Sequence, residues 1–236
     1  MRTSIFRRGQ VATVVAVVLA AVSIARYPGG TYRDHSVPGY SPFQNFLSDL
    51  GMTVAYNGEP NRLGSACFVG SLVVLVVGLG GCVVGFFRQY ASDPKSRPLA
   101  RAAAFVALLV CLAFVGVAAT PENLVMGLHV QLTFFAFRAF LVSAALFALA
   151  SWAYPLATRS IWIGWSILTI ELAIYVWIQG WGPHVRDPGG LEVQVIAQKI
   201  ITVVAIAILL YESVLADKLS SAPPAGGPAL TSFRRS

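Results

Sequence analysis

Ser48, Thr53 and His129 are the residue types from which a nucleophile and its base are made, and all three lie beside apolar runs. A serine or threonine hydroxyl attacks an ester only when a neighbouring base takes its proton, and histidine suits that task near neutral pH. The chemistry they would support is hydrolysis of a lipid ester within the membrane. The same residues also have plainer uses. Ser48-Asp49-Leu50-Gly51 reads as a turn or helix cap, with the Ser and Asp side chains accepting free backbone N–H groups and Gly51 permitting positive φ. Capping is the favoured role for Ser48, and a hydrogen-bonded structural role is favoured for His129. The chain has no Gly-x-Ser-x-Gly elbow, P-loop or dinucleotide fingerprint.

A second set consists of ionisable and polar residues within or beside apolar runs: Asp49, Asn61, Glu122, His129, Arg138, Glu171 and Lys199. A charge at the bilayer centre costs at least about 2.5 kcal/mol, so each such residue is a candidate binding site. At a rise of about 1.5 Å per residue, Arg138 and Glu171 reach similar depth on consecutive antiparallel spans. They are expected to pair. With Lys199 they would form the floor of an outward-facing polar pocket, whose wall Tyr175 and Gln179 would extend. Asp49 and Asn61 would order its lid. The plain alternative is a buried ion pair that fixes helix register. Glu122 lies seven residues before His129, close to one helical face. His35, His184 and Asp187 complete the potential metal ligands, but no His-x-x-x-His or His-Glu-x-x-His spacing exists. No metal and no cofactor is expected.

These residues are positioned by six apolar runs, at about 11–27, 63–87, 99–119, 125–150, 161–181 and 191–215. Only 11% of residues are charged and 56% are apolar, with mean hydropathy +0.70. Soluble domains carry about 25% charged residues. The expected fold is therefore an all-α membrane protein, a six-transmembrane-helix bundle occupying residues 11–216 as one domain. Residues 1–10 form a basic N-terminus, 28–62 a long loop between helices 1 and 2, and 217–236 a disordered tail. The first run also resembles a secretory signal, and its retention as a helix is the favoured reading. In the second run Gly81 and Gly85 have the small-xxx-small spacing that brings helices close in lipid.

Basic residues set the expected orientation. Arg2, Arg7, Arg8, Arg88, Lys95, Arg97, Arg101, Arg159, Lys218, Arg234 and Arg235 fall on one side; Arg26, Arg33, Arg62 and Arg186 fall on the other. The positive-inside bias then makes both termini cytoplasmic and the 28–62 loop external, in the plasma (inner) membrane. The formal charge of +7 is thus explained by anionic lipid headgroups, without nucleic acid. Cys67, Cys82 and Cys111 lie inside apolar runs and read as small buried residues.

Tyr40-Ser-Pro-Phe-Gln-Asn-Phe-Leu-Ser-Asp-Leu-Gly51, Asn61 opening a Gly-rich span, and a Pro-Glu break before His129 resemble the bacterial and archaeal membrane family called domain of unknown function 998. The Frag/DRAM/Sfk-type eukaryotic membrane proteins are a more distant likeness. The resemblance implies a six-helix bundle with its first helix retained, and no activity. The leading expectation is a non-enzymatic protein that binds a small amphiphile or lipid headgroup, with membrane lipids as partners and homo-oligomerisation left open. The rivals are a lipid-ester hydrolase using Ser48 or Thr53 with His129, and a small transporter. The nearly apolar inner halves of spans four and six disfavour a transporter.

Overall fold

A computed structural model describes residues 4–221. The elements are α1 (Ile5–Arg26), a 3₁₀ turn (Leu47–Gly51), α2 (Arg62–Tyr90), α3 (Arg97–Ala119), α4 (Glu122–Ala153), α5 (Arg159–Trp181) and α6 (Gly190–Ser221). All six α-helices are long and apolar enough to cross a membrane. Among the described residues there is no strand, only the isolated bridges Gly29–Pro38 and Val54–Pro60.

Local chemistry sets where the helices begin. Ser4 Oγ accepts the Arg7 N–H at 3.1 Å to start α1. Asp93 accepts the Lys95 and Ser96 N–H groups at 2.9 and 3.1 Å, turning the chain from α2 into α3. Pro98 sits in the first turn of α3, where its missing N–H costs nothing. Pro121 precedes α4, which is broken once at Val125. The helices extend beyond the expected runs, because a helix carries polar turns past the apolar stretch. In particular α6 continues to Ser221, so residues 217–221 are helical where a disordered tail was expected. The rest of that expected tail, 222–236, lies outside the described residues.

Each helix packs on its neighbour in sequence, and α6 returns to α1 to close a ring. Gln10 Nε2 donates to Ser213 Oγ at 3.1 Å, and Arg7 pairs with Asp217 at 3.3 Å, at the end where α1 begins and α6 finishes. We call this the terminal end. The opposite, loop end carries residues 27–61, the α3–α4 junction and the α5–α6 turn. Val77, Phe105, Leu112 and Val203 are exposed on the flanks. Such an apolar exterior suits hydrocarbon, as a multi-pass membrane protein requires.

The closest crossing is that of α1 on α2. A Cβ on Gly9 would overlap Cys82 Sγ and the Gly78 carbonyl, and one on Gly78 would overlap Ala12. Ser23 and Ser71 hydroxyls add hydrogen bonds across the pair, to Gly64 O at 2.7 Å and Ala16 O at 2.8 Å. Small residues thus let the backbones meet. The expected Gly81–Gly85 pair is only partly used: Gly85 packs on Phe6, whereas Gly81 merely approaches Ile5. Gly78→Val should therefore destabilise the fold by about 1–3 kcal/mol through overpacking. Gly80→Ala, with no neighbour within 4 Å of the added carbon, should be neutral or stabilising. Thermal unfolding in detergent separates the two.

Candidate functional site beneath the loop

The loop of residues 27–61 folds over the bundle because its polar side chains bond inward. Asp49 is 1% exposed. Its Oδ2 accepts from Asn45 Nδ2 at 2.9 Å and from the Phe46 N–H at 3.0 Å, capping the 3₁₀ turn. Asn45 also donates to Gly30 O at 3.0 Å, which fastens the first half of the loop to the turn. Asn61 Nδ2 donates to Leu50 O and Met52 O at 2.9 and 3.0 Å, fastening the second half. Tyr27, Leu50, Ala55 and Phe68 form a small core under this knot. Burying Leu50 alone contributes about 1.5–3 kcal/mol.

Three further contacts tie the loop to the helices. Gln198 Oε1 on α6 accepts the Leu47 N–H at 2.7 Å. Lys199 Nζ donates to Asn45 O at 2.6 Å and stands 5.3 Å over the Tyr40 ring. At the start of α4, Asn123 accepts the Thr53 N–H at 3.0 Å and donates to Thr53 Oγ1 at 2.9 Å. Thr53 is therefore committed to the lid and does not meet His129.

Ser48 does not cap the turn, as favoured from sequence; Asp49 does. The Ser48 hydroxyl donates instead to Glu122 Oε2 at 3.2 Å. His129 Nε2 lies 4.0 Å from the same oxygen, and His129 Nδ1 bonds Thr120 O at 2.7 Å. A carbonyl only accepts, so Nδ1 carries a hydrogen and Nε2 is the atom that faces the carboxyl. Ser48, Glu122 and His129 thus come together, with Glu122 between the other two. The expected Ser48–His129 contact does not form.

Burial pushes the Asp49 carboxyl well above the usual carboxylate range, and the charge of Glu122 adds to this. Two Asp49 hydrogen bonds and the positive charge of Lys199 pull the other way and do not prevail. Asp49 Oδ1 has no partner.

Directly under Leu47 and Ser48 lies a cavity of about 140 Å³ between α2, α3, α4 and α6. Its wall is apolar, with Phe68, Leu72, Phe137 and Ala205 among the lining. Ser48 and Gln198 stand at the loop end, Thr133 and Thr202 about a turn further in. A smaller cavity of about 60 Å³, reaching Trp165, shares Val76, Leu79, Phe114, Phe140 and Leu209 with it. The two are neighbouring apolar cavities with part of a wall in common, referred to together below as the apolar column.

The expected charged floor is absent from this column. Arg138 is exposed; it donates to Phe134 O at 3.1 Å and stacks 5.0 Å over the Phe134 ring. It lies nine residues from His129, about 180° around α4, so it snorkels along the outer face. Among the described residues no ion pair joins it to Glu171, which is half-buried on α5. The expected pair does not form. Lys199 belongs to the lid. His35 and His184 take no part, and no group of three His, Cys, Asp or Glu that could hold a metal exists among the described residues.

Asn45, Gln198 and Glu212 are buried polar residues to which no site role attached from sequence. Gln198 and Glu212 share a face of α6, fourteen residues or about 40° apart, with Ile201 and Ala205 between them. Glu212 already falls within the expected 191–215 run, so that stripe is legible from the 100° spacing alone. No family model matches the chain, and neither a curated protein nor a solved structure matches it.

Removing the Asn61 side-chain donor should destabilise the lid by about 1–3 kcal/mol in Asn61→Ala, because two buried carbonyls lose their partner. Asp49 gives a pH signature. A carboxyl raised on folding favours the protonated form, so its stabilisation is complete below the unfolded value and is lost as pH rises through the folded one. Hydrogen exchange of the 45–61 amides, corrected for intrinsic rates, should therefore report a lid that loosens with rising pH. In Asp49→Asn that dependence should flatten.

Proposed function

We propose that this chain is a multi-pass plasma-membrane protein, with both termini cytoplasmic, that binds a single-chain amphiphile beneath its external loop. The apolar chain lies in the column between α2, α3, α4 and α6, and the polar end meets Ser48 and Gln198. The observation that carries this reading is the cavity of about 140 Å³ roofed by Leu47 and Ser48. An apolar cavity of about 150 Å³ stays dry and accepts a hydrocarbon ligand.

The residues around the mouth narrow the ligand further. Arg138 is on the far face of α4, and Lys199 is bonded to Asn45 O. The groups behind Ser48 are carboxyls, Asp49 and Glu122. A small uncharged end, such as a hydroxyl or an ester, fits this mouth better than the anionic headgroup expected from the sequence. The likeness to the domain 998 family is compatible with this role and supplies no activity.

A second reading is supported by one contact, the Ser48 hydroxyl donating to Glu122 at the cavity roof. In it Glu122 takes the Ser48 proton as Oγ attacks an ester carbonyl, returns it to the alcohol oxygen as the ester C–O bond breaks, and then deprotonates the water that frees the acyl group from Ser48, while His129 Nε2 holds the carboxyl. His129 is then a positioning residue.

Native mass spectrometry of the purified protein should find a co-purifying single-chain lipid. Ala205→Phe, which fills the column, should displace it, while Arg138→Gln should leave it in place. Lipid content unchanged by Ala205→Phe would overturn the binding reading. For the hydrolase reading, a fluorophosphonate probe should label the protein and fail to label Ser48→Ala; absence of labelling in the parent removes that reading.

A further inference from the structure

Four of the side chains lining the larger cavity carry hydrogen-bonding groups: Ser48, Thr133, Gln198 and Thr202. Three of them have already spent their protons. The Ser48 hydroxyl donates to Glu122 Oε2 at 3.2 Å. Thr133 Oγ1 donates to His129 O at 2.9 Å, and Thr202 Oγ1 to Gln198 O at 2.7 Å. A hydroxyl has one hydrogen and two lone pairs, so toward any further partner each of these oxygens can only accept.

Gln198, the fourth, is oriented by its neighbours. Its Oε1 accepts the Leu47 N–H at 2.7 Å, which fixes which branch of the amide is oxygen. The amide nitrogen carries two hydrogens. One is used at the Tyr175 hydroxyl, and the other is the one donor that the described lining side chains retain. At the loop end the cavity therefore offers a ligand one acceptor, Ser48 Oγ, and one donor, Gln198 Nε2. Lys199, the nearest cation along α6, is engaged by Asn45 O at 2.6 Å.

Resting on the amphiphile-binding reading above, we propose that the polar end of the ligand is a single hydroxyl, so that the ligand is an uncharged aliphatic alcohol. Its O–H donates to Ser48 Oγ, and its oxygen accepts the remaining Gln198 hydrogen. One hydroxyl matches both groups. An ester or an ether has acceptors alone, so Ser48 Oγ would face another oxygen with no hydrogen between them. A carboxylate has the same defect and also carries a charge out of water. An ammonium carries a charge as well, and it leaves the Gln198 hydrogen unmatched.

The test compares two isomers, n-octanol and heptyl methyl ether, with octylamine and octanoate as charged alternatives. Each is titrated into the full chain in detergent, at matched mole fraction in the micelle, while the unfolding temperature is followed. Octanol should bind about tenfold more tightly than its ether isomer, the effect of one buried hydrogen bond left unmade. Ser48→Ala should reduce octanol to the affinity of the ether and leave the ether unchanged. Ser48→Cys, whose sulfur accepts only weakly, should do the same, and it decides the matter if Ser48→Ala does not fold. Equal affinity for the two isomers, with both abolished by Ala205→Phe, would overturn the alcohol and leave the binding reading standing. Tighter binding of octylamine or octanoate, or a preference for octanol that survives the Ser48 variants, would also overturn it. If no compound raises the unfolding temperature, the binding reading itself fails and the alcohol fails with it.

Discussion

The buried carboxyl of Asp49 is the point at which the loop is held to itself. With Oδ2 it gathers the Asn45 amide and the Phe46 N–H, and Asn45 in turn reaches Gly30. A polar group in this position is stabilising only while its partners are present; unpaired, each costs about 1–3 kcal/mol. The loop conformation follows from that constraint. Asn61 fixes the other half of the loop in the same way, and Gln198 and Lys199 attach the whole to α6. The result is a polar cap that bonds inward and presents mainly Leu47 and Ser48 to the cavity below.

Cap and column are complementary. The α-helices meet closely on the α1–α2 side, where glycines face each other, and leave space between α2, α3, α4 and α6. Protein interiors are ordinarily packed to crystal-like density, so an apolar void of this size costs dispersion energy unless something occupies it. An amphiphile that fills the column recovers those contacts. Its polar end then comes to the loop end, where the Ser48 hydroxyl and the Gln198 amide line the wall. On the proposed reading, binding and fold stability are linked by this geometry.

The sequence disclosed the scaffold more readily than the site. Apolar runs of the right length located all six α-helices, since in hydrocarbon the backbone must satisfy itself. The lid residues Asp49 and Asn61 were identifiable because short polar side chains beside Gly and Pro have few uses other than bonding backbone. Only a rough depth along each helix was legible, as the rise per residue gives it for Arg138 and Glu171. Azimuth was not. Rotation of each helix is set by packing against neighbours, and that information sits in contacts such as Gly9 on Gly78, not in local composition. Hence Arg138 was assigned to a pocket that lies on the other side of its helix. Glu122 and His129 were drawn together correctly by their seven-residue spacing, despite the break at Val125.

The central claim, that an apolar chain occupies the column with its polar end at Ser48, is most directly measured by fluorescence quenching of Trp165. With Trp152, Trp162, Trp177 and Trp181 replaced by Phe, Trp165 at the smaller cavity reports alone. An alkanol brominated at its far end should quench this residue saturably, and Ala205→Phe should abolish the saturable component. Quenching that grows only in proportion to added alkanol, with no change in Ala205→Phe, would contradict the account.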